Sequence, residues 1–257
     1  MQFLSDTQTH KGLVRKINED ACLALPESGV WAVADGMGGH EAGDVASQLV
    51  MDTLSRAISR HPGEPSVEML TAALHEANAA VCRFAEEHLD GQTAGSTVVV
   101  LFIERGQYHV LWVGDSRCYL LRDRRLSQLS SDHSQVNEMV QQGLISADEA
   151  EHHELANVIT RAIGVERQIE VDHISGSCLS GDLYLLCTDG LNKEIPDNEI
   201  EQYMGHGSIA EANKALLHST LVSGAKDNVT CILVSLNVSG LVSECSKTIP
   251  LYLKTNV

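Results

Sequence analysis

Residues 97–103 (TVVVLFI), 108–113 (YHVLWV), 117–122 (RCYLLR) and 126–129 (LSQL) follow one another across gaps of three or four residues. Each run is rich in β-branched and aromatic side chains and has the length of a strand. Gly106-Gln107 and Asp123-Arg124 lie in two of the gaps and read as hairpin turns. The stretch therefore predicts an antiparallel meander. Upstream, residues 21–25 and 30–34 read as strands. Helices are expected over about 43–60 and 66–88; in the second, Val67, Leu70, Ala73, Leu74, Ala77, Val81 and Phe84 keep a period near 3.6. Downstream, residues 133–163 are polar and helical in character, with Val136, Met139 and Val140 on one face. Strands near 169–174 and 182–187, helices at 197–204 and 209–221, and a strand at 229–236 complete the pattern. Strands and helices segregate into runs, which points to an α+β fold on an antiparallel sheet core.

No repeat, low-complexity tract or Pro/Gly linker divides the chain. One domain over residues 1–236 is expected, followed by a tail, 237–257, of unassigned role. The 257 residues are ample for a core without disulfide or metal staples. Hydrophobic residues make up 43% and charged residues 21%, the balance of a soluble globular domain. The net charge of −17 argues against a nucleic-acid partner, since a phosphate backbone would repel it. The opening residues lack a basic region and an apolar run, and no segment approaches the ~18 apolar residues of a membrane span. Seven cysteines form no CxxC pair, and several sit in apolar runs. Buried free thiols in a cytoplasmic protein are expected, without membrane insertion.

Asp20, Asp35, Asp115, Asp189 and Asp227 stand where strands end or tight turns begin. Asp-Gly and Asp-Asn are ordinary turn pairs, so each alone reads first as a turn. Five at strand ends are harder to assign to turns alone. Two carboxylates ~4 Å apart repel by about 4 kcal/mol at an effective dielectric of 20. A converging cluster would protonate, unfold locally or bind cations. All-oxygen ligands suit Mg²⁺ or Mn²⁺, and a pair of such ions is a recurring device for phosphate-ester hydrolysis. The glycines of residues 35–40 (DGMGGH) would let backbone approach an ion closely. Arg15, five residues before Asp20, offers a guanidinium fork suited to phosphate.

Taken together, residues 12–20 (GLVRKINED), 33–40 (VADGMGGH), 95–97 (GST), 113–117 (VGDSR), 131–134 (SDHS), 186–191 (LCTDGL) and 227–230 (DNVT) resemble the metal-dependent Ser/Thr protein phosphatases of the type 2C (PPM) family, in its compact bacterial form. The motifs span residues 12 to 230 in family order. The resemblance implies a four-layer α-β-β-α sandwich, with two central antiparallel sheets and a dimetal centre at one end. It implies that Asp35 bridges two core Mn²⁺ or Mg²⁺ ions and that the Gly36 carbonyl completes one site. Asp189 and Asp227 complete the other. Asp20 would hold a metal-bound water or orient the nucleophile, with Glu19 beside it. Arg15 would clamp the substrate phosphate. Asp115, shared with Asp189, would serve a third, weaker ion. Residues 133–163 match the family's mobile flap.

The implied activity is hydrolysis of phosphoserine and phosphothreonine on proteins by metal-activated water, without a phosphoenzyme. The implied partners are phosphorylated proteins, a Ser/Thr kinase and its targets among them. One departure is Met37, where many eukaryotic relatives carry a His as general acid; His40 or a metal-bound water are the alternatives here. Two competing readings are a non-catalytic phosphatase-like module and a plain acidic cation-binding protein. The full set of Asp35, Asp189 and Asp227 weighs against the first. The lack of an EF-hand loop and the presence of Arg15 weigh against the second. A Cys-based phosphatase would need a Gly-rich cradle, which Cys118 lacks.

Overall fold

In the computed structural model, which describes residues 2–38, 42–60, 63–146, 149–150 and 153–237, the expected meander is split in two. Its first hairpin, β5 (Val98–Glu104) and β6 (Gln107–Val113), belongs to one sheet. Its second, β7 (Arg117–Arg122) and β8 (Arg125–Gln128), belongs to the other. The chain crosses between the sheets at Gly114-Asp115-Ser116. Gly114 takes φ +109°, and a Cβ there would lie 2.6 Å from Thr97 Cβ, so only glycine makes this step. The other turn, Asp123-Arg124, has both φ values positive, as a two-residue hairpin of twisted strands requires.

The first sheet runs β2 (Asp20–Leu25), β3 (Val30–Gly38), β5, β6 and β9 (Asp172–Ser177), with β4 (Ala94–Ser96) on the outer part of β3. The second runs β1 (Gln2–His10), β11 (Val229–Asn237), β10 (Leu183–Cys187), β7 and β8. Every strand pair is antiparallel. Strand β1 was not expected. Its sequence, QFLSDTQTH, has too few apolar residues to announce a strand; the backbone ladder to β11 makes it one. Strand β9 lies three residues later than the reading of 169–174.

Alternating side chains give three apolar layers. Val30, Ala32, Val98, Val100 and Phe102 face α1 (Ala42–Arg60) and α2 (Val67–His88), meeting Val50, Leu54, Leu70 and Leu74. Trp31, Val33, Val99, Leu101, Tyr184, Leu186 and Ile232 fill the space between the sheets. Tyr119, Leu185, Val229 and Leu233 face α5 (Asp197–Met204) and α6 (Ile209–Ser223), meeting Ile200, Met204 and Leu216. Because both faces of the central strands are covered, they read as continuous apolar runs. Each large side chain buried there contributes roughly 1.5–3 kcal/mol. Two sheets flanked by helices on both sides form an α-β-β-α sandwich. Helix ends follow local chemistry: Ser66 caps α2, and Ser208 with Glu211 forms a capping box on α6. Cys118, Cys187 and Cys231 are buried free thiols in the apolar layers, with Cys22 and Cys178 part-buried beside them; Cys245 lies outside the described residues.

Candidate active site

Strand register alone gathers the aspartates at one end of the sandwich. Asp20 opens β2 directly opposite Asp35 of β3. Asp35 shares the strand face of Trp31 and Val33, so it lies on the inter-sheet side. It sits within β3, which continues to Gly38, rather than at the strand's end as expected. In the facing sheet, Cys187 at the end of β10 pairs with Arg117 at the start of β7 and with Cys231 near the start of β11. Asp189, Asp115 and Asp227 flank those three strand ends. Asp189 begins the short helix α4 (Asp189–Asn192).

The carboxylates feel one another. Burial drives the Asp35 carboxyl well above the usual carboxylate range, reinforced in turn by Asp189, Asp20, Asp115 and Asp227. Burial pushes Asp20 up to about 7 against hydrogen bonds from Thr230 and Thr188, with Asp189 and Asp227 adding to the rise. Asp115 is also pushed up to about 7, by burial and then by Asp189. Two cations offset part of this charge. Arg15 Nη2 donates to Asp227 Oδ2 at 2.6 Å, both side chains being part-exposed. Lys193 Nζ donates to Asp189 Oδ2. Burial works against the Lys193 charge, yet Asp189, Asp115 and Asp35 hold its pKa above the ordinary lysine value.

Backbone and hydroxyl contacts fix the cluster. Thr97 clasps Asp35: its Oγ1 accepts from the Asp35 amide at 3.0 Å, and its own amide donates to the Asp35 carbonyl at 2.8 Å. Thr188 Oγ1 donates to Asp20 Oδ2 at 2.9 Å. Asn228 ties the Arg15 loop to the start of β11. Its Oδ1 accepts from the Glu19 amide at 2.8 Å, and its Nδ2 donates to the Lys11 and Ile17 carbonyls, each at 2.9 Å. The Glu19 carbonyl accepts from the Gly36 amide and from Ser47 Oγ of α1. Gly36 is buried so closely that a Cβ would lie 1.9 Å from the Gly43 carbonyl oxygen. Burial raises the Glu19 carboxyl, Arg15 lowers it, and Asp44 raises it further.

The donor set fits hard cations. It is all oxygen, and Asp20 Oδ1 and Asp189 Oδ1 are buried without a hydrogen-bond partner. Among the described residues, no three His, Cys, Asp or Glu side chains form a ready-made coordination group; Arg15 sits on Asp227 Oδ2 and Lys193 on Asp189 Oδ2. Met37 follows Gly36 on β3, while His40 lies outside the described residues. The segment 133–163 opens with α3 (Gln135–Gln141), capped by Ser134, and is pinched at its base by the Ser134–Ile159 and Ser96–Ile163 bridges.

A family model described as protein phosphatase 2C matches residues 9–227. The chain belongs to the protein phosphatase 2C family. It is 34% identical over 242 residues to the serine/threonine phosphatase stp of Listeria welshimeri, covering 91% of this chain and 96% of that one. A solved structure of PppA, described as a key regulatory component of T6SS in Pseudomonas aeruginosa, superposes with a TM-score of 0.82 at 41% identity, covering 91% and 98% of the two chains. The catalytic domain of the phosphatase PstP, solved in complex with two manganese ions, superposes with a TM-score of 0.83 at 33% identity over 91% and 98%. The phosphatase 2C frame thus brings together Arg15, Glu19, Asp20, Asp35, Gly36, Asp115, Asp189 and Asp227. Sequence reasoning missed Lys193 and gave no role to Thr97, Thr188 and Asn228, although all three stand in the quoted motifs. Lys193 could have been found as the i+4 partner of Asp189 on a helix. Thr188 and Asn228 each adjoin an aspartate already singled out.

Proposed function

We propose that this protein is a metal-dependent Ser/Thr protein phosphatase that hydrolyses phosphoserine and phosphothreonine on proteins. The carrying observation is the convergence of Asp20, Asp35, Asp115 and Asp189 at one end of the sandwich, with buried oxygens of Asp20 and Asp189 left unpartnered. Membership of the phosphatase 2C family supports the reading. Asp35, the Gly36 carbonyl, Asp189 and Asp227 would hold two core Mn²⁺ or Mg²⁺ ions, and Asp115 with Asp189 a third. When bound, such ions supply a Lewis acid that lowers the pKa of water and offsets charge on phosphoryl oxygens.

The chain's own residues do the rest. Asp20, held by Thr188, orients the attacking water, with Glu19 beside it. Arg15 swings from Asp227 onto the substrate phosphate; its half-exposed side chain leaves that path open. Met37 has no proton to give, so the leaving alkoxide takes one from water or from His40. The segment 133–163, closed at its base by the Ser134–Ile159 and Ser96–Ile163 bridges, would act as a flap over substrate. The proposed substrates are phosphorylated proteins, with a Ser/Thr kinase and its targets foremost. Residues 1–236 act as one catalytic domain, and the tail 237–257 lies almost wholly outside the described residues. No described helix is long and apolar enough to cross a membrane. Cytoplasmic residence is part of the proposal, supported by the free thiols of Cys118, Cys187 and Cys231.

The test is phosphate release from a phosphothreonine peptide with EDTA, Mg²⁺ or Mn²⁺, beside Asp189→Asn. Release that needs the metal and is lost in the variant is expected. Release that persists in EDTA, or survives in folded Asp189→Asn, would overturn the metal assignment.

A further inference from the structure

His133 lies outside the acidic cluster, but it grips the residue next to Asp115 on both sides. The Gly114 amide donates to His133 Nδ1 at 3.1 Å, and the His133 amide donates to the Gly114 carbonyl at 3.0 Å. That carbonyl belongs to the peptide bond leading into Asp115. The ring is buried, and it stacks on Trp112 with centroids 6.1 Å apart. Nδ1 accepts, so the neutral ring carries its proton on Nε2. Nε2 is 3.3 Å from Asp172 Oδ2 but out of line for a hydrogen bond. The aligned contact is the one to Gly114. Gly114, at φ +109° with room for no Cβ beside Thr97, opens the Gly-Asp-Ser crossing between β6 and β7, which lies outside both strands. The same His133 carbonyl accepts from Thr160 at 2.8 Å, beside the Ser134–Ile159 bridge.

We infer that His133 is a positioning residue for Asp115: its double clamp on Gly114 fixes the direction of the Asp115 carboxylate and ties it to the base of segment 133–163. The inference rests on the proposed reading of Asp115 as a ligand of the third, weaker cation. His133 acts through the backbone and touches neither substrate nor ion. A conservative replacement should therefore be judged by which ring nitrogen it reproduces. Asn carries Oδ1 at the place of Nδ1; Gln carries its oxygen farther out, nearer the place of Nε2.

The experiment compares full-length wild type, His133→Asn and His133→Gln. In metal-free protein, hydrogen exchange at the Gly114 amide reads the clamp directly. It should be about 10-fold faster in His133→Gln, the worth of one hydrogen bond, and near wild type in His133→Asn. Manganese titration followed by electron paramagnetic resonance then reads the weakest site. Its affinity should fall about 10-fold in His133→Gln, as for loss of other groups that orient metal ligands, and recover in His133→Asn. Both variants keep a polar side chain in the cavity, so a merely structural role predicts equal effects from the two. Equal effects, or wild-type exchange and affinity in His133→Gln, would overturn the inference. Wild type with only two manganese ions bound, still losing phosphatase activity as Asp189→Asn, would overturn it while sparing the two-ion reading. Wild type that binds no manganese would remove that reading, and this inference with it.

Discussion

Asp115 allows the electrostatic strain of the metal-free site to be measured as a function of pH. Its carboxyl is raised from the ordinary 3.8 to about 7, chiefly by burial and then by Asp189. The folded chain therefore keeps a proton there that the unfolded chain has already released. Stability from this group is present in full below the unfolded value and is lost as pH climbs through the folded one. The gap of about 3 pH units, at 1.36 kcal/mol each, gives a loss of roughly 4 kcal/mol between pH 4 and pH 7. That figure already contains the lowering by Lys193, and Asp189 shares it. Asp115→Asn cannot ionise and lacks the effect. The assay is urea unfolding of EDTA-treated wild type and variant at half-unit pH steps from 4 to 8. The stability of Asp115→Asn minus that of wild type should grow with pH up to about 7 and then level off. Manganese should flatten the trend by replacing the proton with a cation. A difference that is constant in pH, or that shrinks as pH rises, would refute the claim that Asp115 shares a buried volume with the other carboxylates.

Three further outcomes are expected. Gly36→Ala forces a methyl to within 1.9 Å of the Gly43 carbonyl oxygen; the start of α1 must shift, and thermal unfolding should show a loss of at least about 1–3 kcal/mol. Asn78→Ala strips a buried hydrogen bond from the Gly164 amide and part-buried ones to the Glu166 and Arg167 carbonyls; denaturant unfolding should register a cost of roughly 2–4 kcal/mol for those orphaned groups. Lys193→Met removes the ammonium that occupies Asp189, so manganese titration should show tighter binding, and unchanged affinity would mean that the lysine does not compete for that carboxylate.

The parts of this molecule legible in its sequence are those set by local chemistry. Val98–Glu104 and Leu183–Cys187 announce strands because both their faces are buried. Asp35, Asp115, Asp189 and Asp227 were visible because each adjoins a clear apolar strand, three of them in an Asp-Gly or Asp-Asn pair. What stayed hidden depends on distant partners. Strand β1 exists through its ladder to β11, more than two hundred residues away. The splitting of the meander rests on one glycine packing against Thr97, a contact that no periodicity reveals. Arg15 was read for its affinity for phosphate, yet it rests on Asp227, which only the folded chain brings near. Asn78 gains its role only where the loop after residue 163 closes over it.

The pairing of β1 with β11 has a consequence for how the molecule comes into being. Strand β1 docks beside β11, so a nascent chain carries Gln2–His10 without that partner until more than two hundred further residues have been made. Asp227 lies two residues before β11 and arrives in the same late step. A truncated or half-translated chain therefore lacks both the closing strand and one of the proposed metal-binding carboxylates. A chain that stops before residue 227 is therefore expected to show no metal-dependent phosphate release.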